Sequence, residues 1–466
     1  MAVTWATSSL DLHLEPRGIR VRAGLEAALR DAVQAGRLTA GTRLPSSRAL
    51  AADLGIARNT VAEAYGQLVA EGWLTARQGS GTRVTSPVPA AAVAAVQARP
   101  AQPAREFRFD LRAGSPDLSA FPRAAWLAAA RRALNAAPAG ALGYGDPRGR
   151  PELRAALAGY LARARGVRAS PDQIVVCTGF TQGLALLSQV LRERGGGTVA
   201  VEEYSQPAAL AVLAAHSLAP VTLPVDASGA VLDAAGDAAA VLLTPAHQFP
   251  LGPALSPRRR AQAVRWAAGT GGLVIEDDYD GEFRYDRQPV GALQALAPGQ
   301  VAYAGTASKT LAPGLRLGWL VLPADLTDAV AAAKSCADTH TGSLDQLTLA
   351  ELISSGGYDR HIRRARLAYR RRRNWLLTAL ASQAPEVEVT GIAAGLHAVA
   401  ALPGRDAEEV IIARAAGRGL AVEGLGGYAA GRLTRGPALV IGYATPPGHA
   451  YTSAIARLCA ALTEPA

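Results

Sequence analysis

The stretch that most constrains this chain runs from Leu273 to Trp319 and contains LVIEDDYDGEFRY and, further on, VAYAGTASKTLAPGLRLGW. It opens with an apolar run, Leu273-Val274-Ile275, that ends in Glu276, Asp277 and Asp278. Such a run reads as a buried parallel strand that delivers polar groups to its carboxyl end, where open α/β sheets bind ligands. A second short strand, Val301 to Ala304, leads into Gly305-Thr306-Ala307-Ser308-Lys309. Of the 48 basic residues only Lys309 and Lys334 are lysines, and the other 46 are arginines. Arginine neither loses its proton inside a protein nor forms an imine, whereas a desolvated lysine does both. Lys309 is therefore the residue to explain.

An amine after one strand, with Asp277 and Tyr279 at the end of its neighbour, fits a pyridoxal phosphate site. That cofactor needs a lysine for its Schiff base and a carboxylate beside its pyridine nitrogen. Thr306, Ser308 and Arg316 surround the lysine in sequence and supply donors for the phosphate. Strand alternation puts Asp277, rather than Glu276, on the face of Tyr279, so Asp277 is the expected partner of the ring. Further upstream, the strand pattern Ile174–Cys177 passes through Thr178-Gly179 into an apolar helix. A glycine turn at a helix N-terminus offers free N–H groups and the positive end of the helix dipole, which suits a phosphate.

At 466 residues, 49% of them apolar, the chain has material for two or three domains with an Ala/Val/Leu core. It shows no apolar run of membrane-spanning length and no signal-peptide pattern. Three widely spaced cysteines, Cys177, Cys336 and Cys459, fit neither a disulfide framework nor a zinc site. A cytoplasmic protein is expected. Residues 1–105 hold 12 arginines against 7 acids, so half of the net charge of +10 sits in under a quarter of the chain. That asymmetry favours a polyanionic partner at the front.

The front also carries the pattern for one. Residues 17–36 read as a helix with Ile19, Leu25, Ala28, Leu29 and Val33 on its apolar face. Ser46 or Ser47 then caps a short helix ending near Leu54, Gly55 turns the chain, and a second helix opens near Ala57 and runs to Glu71. This is a helix-turn-helix pattern, with Arg58, Asn59 and Thr60 at the end that meets base edges. Trp73–Val84 alternates and turns on glycines as a β-hairpin wing does, with Arg77, Gln78, Ser80 and Arg83 in it. Arg48, beside the capping serines, is placed for a DNA phosphate. Residues 86–105, with four prolines among alanines, read as a linker. The expected organisation is thus 1–85, linker 86–105, and a second domain over 106–466.

The segment LPSSRALAADLGIARNTVAEAYGQLVAEGWLTARQGSGTRV resembles the winged-helix domain of the GntR superfamily. TPAHQFPLG, IEDDYDGEFRY and GTASKTLAPGLRLGW, in that order, resemble the MocR-type regulators. These join that domain to a fold type I aminotransferase-like domain. The resemblance implies a large, mainly parallel sheet with a smaller C-terminal α/β subdomain, pyridoxal 5'-phosphate on Lys309, and a homodimer. It also assigns Phe180 and Thr181 to the second half of the phosphate site, and it places Tyr144 near the mouth of the active site.

Three positions depart from the aminotransferase pattern. Gln206 stands where a tyrosine near the ring is expected, leaving Tyr204 or Phe180 to replace it. Phe249 stands where aminotransferases carry an asparagine facing the pyridine oxygen, with His247 or Gln248 beside it to lean into the site. Val440 stands where an arginine on the last strand clamps the substrate carboxylate, and Arg432 and Arg435 just upstream are the alternative clamp. The expectation is a DNA-binding regulator that senses an amine, an amino acid or a B6 vitamer. An active aminotransferase with a DNA-binding appendage is the alternative, and a degenerate dimerisation scaffold a third. The arginine-rich run HIRRARLAYRRRRNW, in an expected helical segment over 344–380, reads as a solvated face.

Overall fold

A computed structural model describes residues 21–77, 80–85, 107–285, 290–403 and 408–464. It divides the chain into two compact units, residues 1–105 and 106–466. No helix among the described residues is long and apolar enough to cross a membrane.

The first unit is a winged helix. Helices α1 (Val21–Gln34), α2 (Ser47–Leu54) and α3 (Arg58–Ala70) precede a hairpin of β1 (Leu74–Arg77) and β2 (Gly81–Val84). The side chain of Ser46 caps α2 by accepting from the Ala49 N–H at 3.2 Å. Gly55 ends α2 at φ +64, a left-handed conformation that glycine adopts without the Cβ penalty. Leu25, Leu29, Leu50, Val61, Tyr65, Leu68, Leu74 and Val84 form one buried core. The Tyr65 hydroxyl donates to the Pro45 carbonyl at 3.0 Å, and a bidentate pair joins Arg30 to Glu71 at 2.9 and 3.0 Å. Leu74 faces Val84 and Arg77 faces Gly81 across the wing. Ile19, Gln78 and the linker lie outside the described residues.

The second unit is built on a seven-stranded sheet. Across it the strands run Ile174–Cys177, Gly318–Val321, Val301–Thr306, Leu273–Asp278, Ala240–Leu243, Thr198–Glu202 and Ala219–Leu223. Gly318–Val321 pairs antiparallel with both of its neighbours, and the other pairings are parallel. Leu273–Asp278 is the fourth strand and all six of its residues are buried. Its centrality explains its composition, because helices cover a parallel sheet on both faces and leave no solvated side. A four-stranded antiparallel sheet, Glu388–Thr390, Ala398–Ala401, Ala438–Ile441 and Glu423–Gly424 in spatial order, forms the C-terminal subdomain.

One expected element is two. The helical segment over 344–380 comprises Ser343–Ser354 and Gly357–Gln383, broken at Gly356, which sits at φ +68. Nor is the arginine run wholly solvated. Arg372 pairs with Asp117 at 2.5 Å and donates to the carbonyls of Ala444 and Pro446, so it joins the long helix to the C-terminal subdomain.

Candidate cofactor site and DNA-binding unit

The period-2 alternation of the central strand sorts its acids. Glu276 points away from Lys309 and accepts the backbone N–H groups of Leu293 and Gln294 at 2.7 and 2.9 Å. Asp278 shares that side, held by Arg165 at 2.6 and 3.1 Å and by the Tyr303 hydroxyl at 2.8 Å. Asp277 faces the other way. It lines a cavity of about 160 Å³ together with Lys309, Tyr279, Phe180, Thr181, Thr306, Ser308 and Arg316. All eight residues singled out in the sequence for cofactor contact therefore meet in one place.

Asp277 makes no hydrogen bond or ion pair among the described residues. Burial pushes its carboxyl up to about 8, against the pull of the Lys309 charge. Burial likewise lowers the pKa of Lys309, opposed by Asp277 and Asp280, which favours a nucleophilic amine. The Lys309 ammonium donates to the Gly114 carbonyl. On its other side lies a larger cavity of about 740 Å³, and Lys309 and Gln206 line both.

At the far end of the smaller cavity, Gly179 precedes the helix Phe180–Glu193 at φ +87. Arg316 lies directly on it: a Cβ on Gly179 would sit 2.7 Å from the guanidinium. Arg316 also donates to the Thr178 carbonyl at 2.6 Å. Thr306 and Ser308 share a hydrogen bond of 3.0 Å beside this end. Helix N–H groups, two hydroxyls and a guanidinium form a cradle suited to a phosphate dianion. A buried acid without a partner, a desolvated amine and this cradle together match the three parts of pyridoxal phosphate.

The other expected contacts are placed differently. His247 is buried and lines neither cavity. Its Nδ1 is 2.8 Å from Asp280 and 3.1 Å from the Tyr279 hydroxyl, which also lies 3.1 Å from the His247 carbonyl as a donor. His247 thus holds the Tyr279 hydroxyl. Tyr204 is also buried, and its hydroxyl accepts the N–H groups of Thr434 and Arg435. Tyr144 is 91% exposed and meets His340 edge-on. Arg435 lines a separate cavity of about 630 Å³ and donates to the Val225 carbonyl, while Arg432 is exposed and lines neither cavity beside Lys309. Val440 is fully buried in a cluster with Phe249, Tyr279 and Tyr428. Where an aminotransferase clamps a carboxylate, this chain packs apolar and aromatic side chains.

Gln206, noted in the sequence only as a departure, lines both cavities, and Asp280 and Glu202 were not anticipated. Glu202 accepts from Thr244 and Gln248 near Asp277, and burial raises it to about 7. Only the apolar run before Glu202 hinted at a buried acid.

In the first unit, Arg48, Arg58, Asn59, Arg77, Ser80 and Arg83 are exposed and Thr60 is partly so. Arg83 spends one donor on the Gly41 carbonyl at 2.9 Å.

Taken separately, the two units define a winged-helix regulator that carries an aminotransferase-like domain. Residues 22–84 match the bacterial regulatory proteins of the gntR family, and residues 109–423 match aminotransferase class I and II. The chain is 32% identical over 418 residues to the HTH-type pyridoxine biosynthesis transcriptional regulator PdxR of Corynebacterium glutamicum, covering 89% of each chain. It is 34% identical to the probable rhizopine catabolism regulatory protein MocR of Rhizobium meliloti, covering 74% of each. Among solved structures, an archaeal alanine:glyoxylate aminotransferase matches with a TM-score of 0.70 and 26% identity, over 76% of this chain and 90% of that one. The chain belongs to the MocR-type transcription regulators, with a GntR winged helix and an aminotransferase class I and II domain.

The raised pKa of Asp277 gives a test. In cofactor-free protein its carboxyl holds a proton up to about pH 8, whereas an unfolded chain releases it near about pH 4. Between those limits the native state binds more protons, so this group's contribution to stability falls as pH rises. Asp277→Asn removes that slope. In denaturant titrations the variant should gain on the wild type from about pH 4 to about pH 8 and by a constant amount above it. Parallel curves for the two proteins would mean that Asp277 is not held protonated.

Proposed function

We propose that this protein is a pyridoxal phosphate-dependent DNA-binding regulator that holds the cofactor through Lys309 and reads it, or an amine that reacts with it, as its signal. The observation that carries this reading is the meeting of Lys309, the unpartnered Asp277 and the Gly179–Arg316 cradle in one cavity. Pyridoxal phosphate supplies an aldehyde that an amine captures reversibly. Asp277 would stabilise a protonated ring nitrogen, Tyr279 would meet the ring oxygen, and Phe180, Thr181, Thr306, Ser308 and Arg316 would hold the phosphate.

Val440, in place of the clamping arginine, favours a vitamer, or an amine without an α-carboxylate, as the signal. Its apolar cluster offers a carboxylate no cation, and burying an unpaired carboxylate is costly. The name of the Corynebacterium relative, a pyridoxine biosynthesis regulator, agrees with a vitamer signal. The second reading is an active aminotransferase, favoured by the retention of Lys309, Asp277 and Tyr279 on an aminotransferase fold. Multiple-turnover assays with amino donors and keto acids decide between the two. A homodimer is part of the proposal, supported by Leu127 at 71%, Leu142 at 62% and Tyr144 at 91% exposure. We place its action in the cytoplasm, on DNA.

Lys309→Ala should abolish covalent attachment while leaving the fold intact. Borohydride reduction of the wild-type holoprotein and peptide mapping should put the label on Lys309, and a label elsewhere or nowhere would overturn the assignment.

For the DNA-binding unit, Arg58→Ala should cost roughly 1–3 kcal/mol of affinity and relax specificity at one base position. Arg48→Ala should weaken all sequences alike and lower the salt slope by about one. Binding measured across operator variants and salt concentrations separates them, and wild-type affinity in both variants would refute the DNA assignment.

A further inference from the structure

The second of the two lysines is absorbed by none of this. Lys334 lies in the helix Ala324–Asp338 and is fully buried. Its ammonium donates to both carboxylate oxygens of Asp338, at 2.8 and 2.9 Å, and to the side-chain oxygen of Gln182 at 3.2 Å. An ammonium has three donors, and all three are used. The point charge of an ammonium, rather than the planar five-donor fork of a guanidinium, matches these three acceptor atoms.

The network leads to the cofactor cradle. Gln182 also donates to Asp338 at 2.7 Å, so its amide is fixed in orientation. Its oxygen accepts the N–H of Thr178 at 2.8 Å. The carbonyl of the same Thr178 receives Arg316 at 2.6 Å. Thr178 is thus held by Gln182, itself fixed by Lys334 and Asp338, on one side and by Arg316 on the other. Gly179 and the helix N-terminus at Phe180 follow directly.

We propose that Lys334 is a positioning residue for the cofactor's phosphate, acting through Gln182 and Thr178 on both the Gly179–Phe180 turn and Arg316. It touches no ligand, and Asp338 balances its charge, so it works by geometry rather than by its field. The inference rests on the reading of the cavity as a pyridoxal phosphate site.

A purely structural brace would weaken all ligands together. A phosphate-positioning residue weakens only those with a phosphate. Full-length wild type and Lys334→Met are titrated with pyridoxal phosphate and with pyridoxal, following absorbance. The variant should lose about tenfold or more in affinity for pyridoxal phosphate, the range expected for a charge-assisted hydrogen bond. Its affinity for pyridoxal should stay within about twofold of wild type, below the worth of any such bond. Gln182→Leu keeps the Lys334–Asp338 pair and cuts its link to Thr178, so it should show the same selective loss even if Lys334→Met fails to fold. Equal losses for both ligands, or none for either, would overturn the proposal. If the wild type itself captures neither ligand on Lys309, the reading of the cavity falls, and this inference falls with it.

Discussion

Carboxyl groups buried together at the end of one strand each need a partner, because an unpaired buried charge costs several kcal/mol. In this protein that requirement organises the second unit. Glu276, Asp277, Asp278, Asp280 and Glu282 are all buried within seven residues of chain. Glu276 takes two backbone N–H groups, Asp278 takes Arg165 and Tyr303, Asp280 takes His247, and Glu282 accepts from Tyr160. These contacts tie the central strand to the helix Pro151–Arg165, to its neighbouring strand and to the loop before Pro250. Asp277 alone is left over, in a cavity with the one reactive amine. The partner it lacks is a cation, and a protonated pyridine ring is the one we propose for it.

The departures from aminotransferases are just as local. The parts that would bind and activate the cofactor are kept, namely Lys309, Asp277, Tyr279 and the phosphate cradle. Val440 stands in place of the arginine that would hold a substrate carboxylate, and Phe249 in place of the asparagine that would face the ring oxygen; both belong to one cluster with Tyr279 and Tyr428. Tyr279 is then oriented by His247 and Asp280 from behind. The proposed cofactor site, lacking a cation for an amino acid carboxylate at Val440, suits a sensor better than a turnover enzyme.

Much of this was legible because its causes are local. Period-2 alternation alone put Asp277 and Glu276 on opposite faces, and cap chemistry, Ser46 at one end and Gly55 at the other, set the ends of α2. What was hidden depends on chain returning from far away. Nothing near His247 in sequence announces Asp280 as its partner, and nothing near Lys334 announces Gln182, 152 residues away. Arg435 sits only five residues before Val440, yet the strand direction sends it to another cavity. The break at Gly356 passed unnoticed because a left-handed glycine between two helical patterns preserves the composition of both.

The central claim is that one ligand site and one DNA-binding unit work as a single regulator, and thermodynamic linkage tests it most directly. If cofactor capture changes DNA affinity by some factor, DNA must change cofactor affinity by the same factor. Pyridoxal phosphate is titrated into the full-length protein with and without operator DNA, with Lys309 capture followed by absorbance and DNA binding followed by anisotropy in the same samples. The account predicts that DNA affinity shifts in step with capture and that the two factors agree. Saturation of Lys309 with no change in DNA affinity would contradict it.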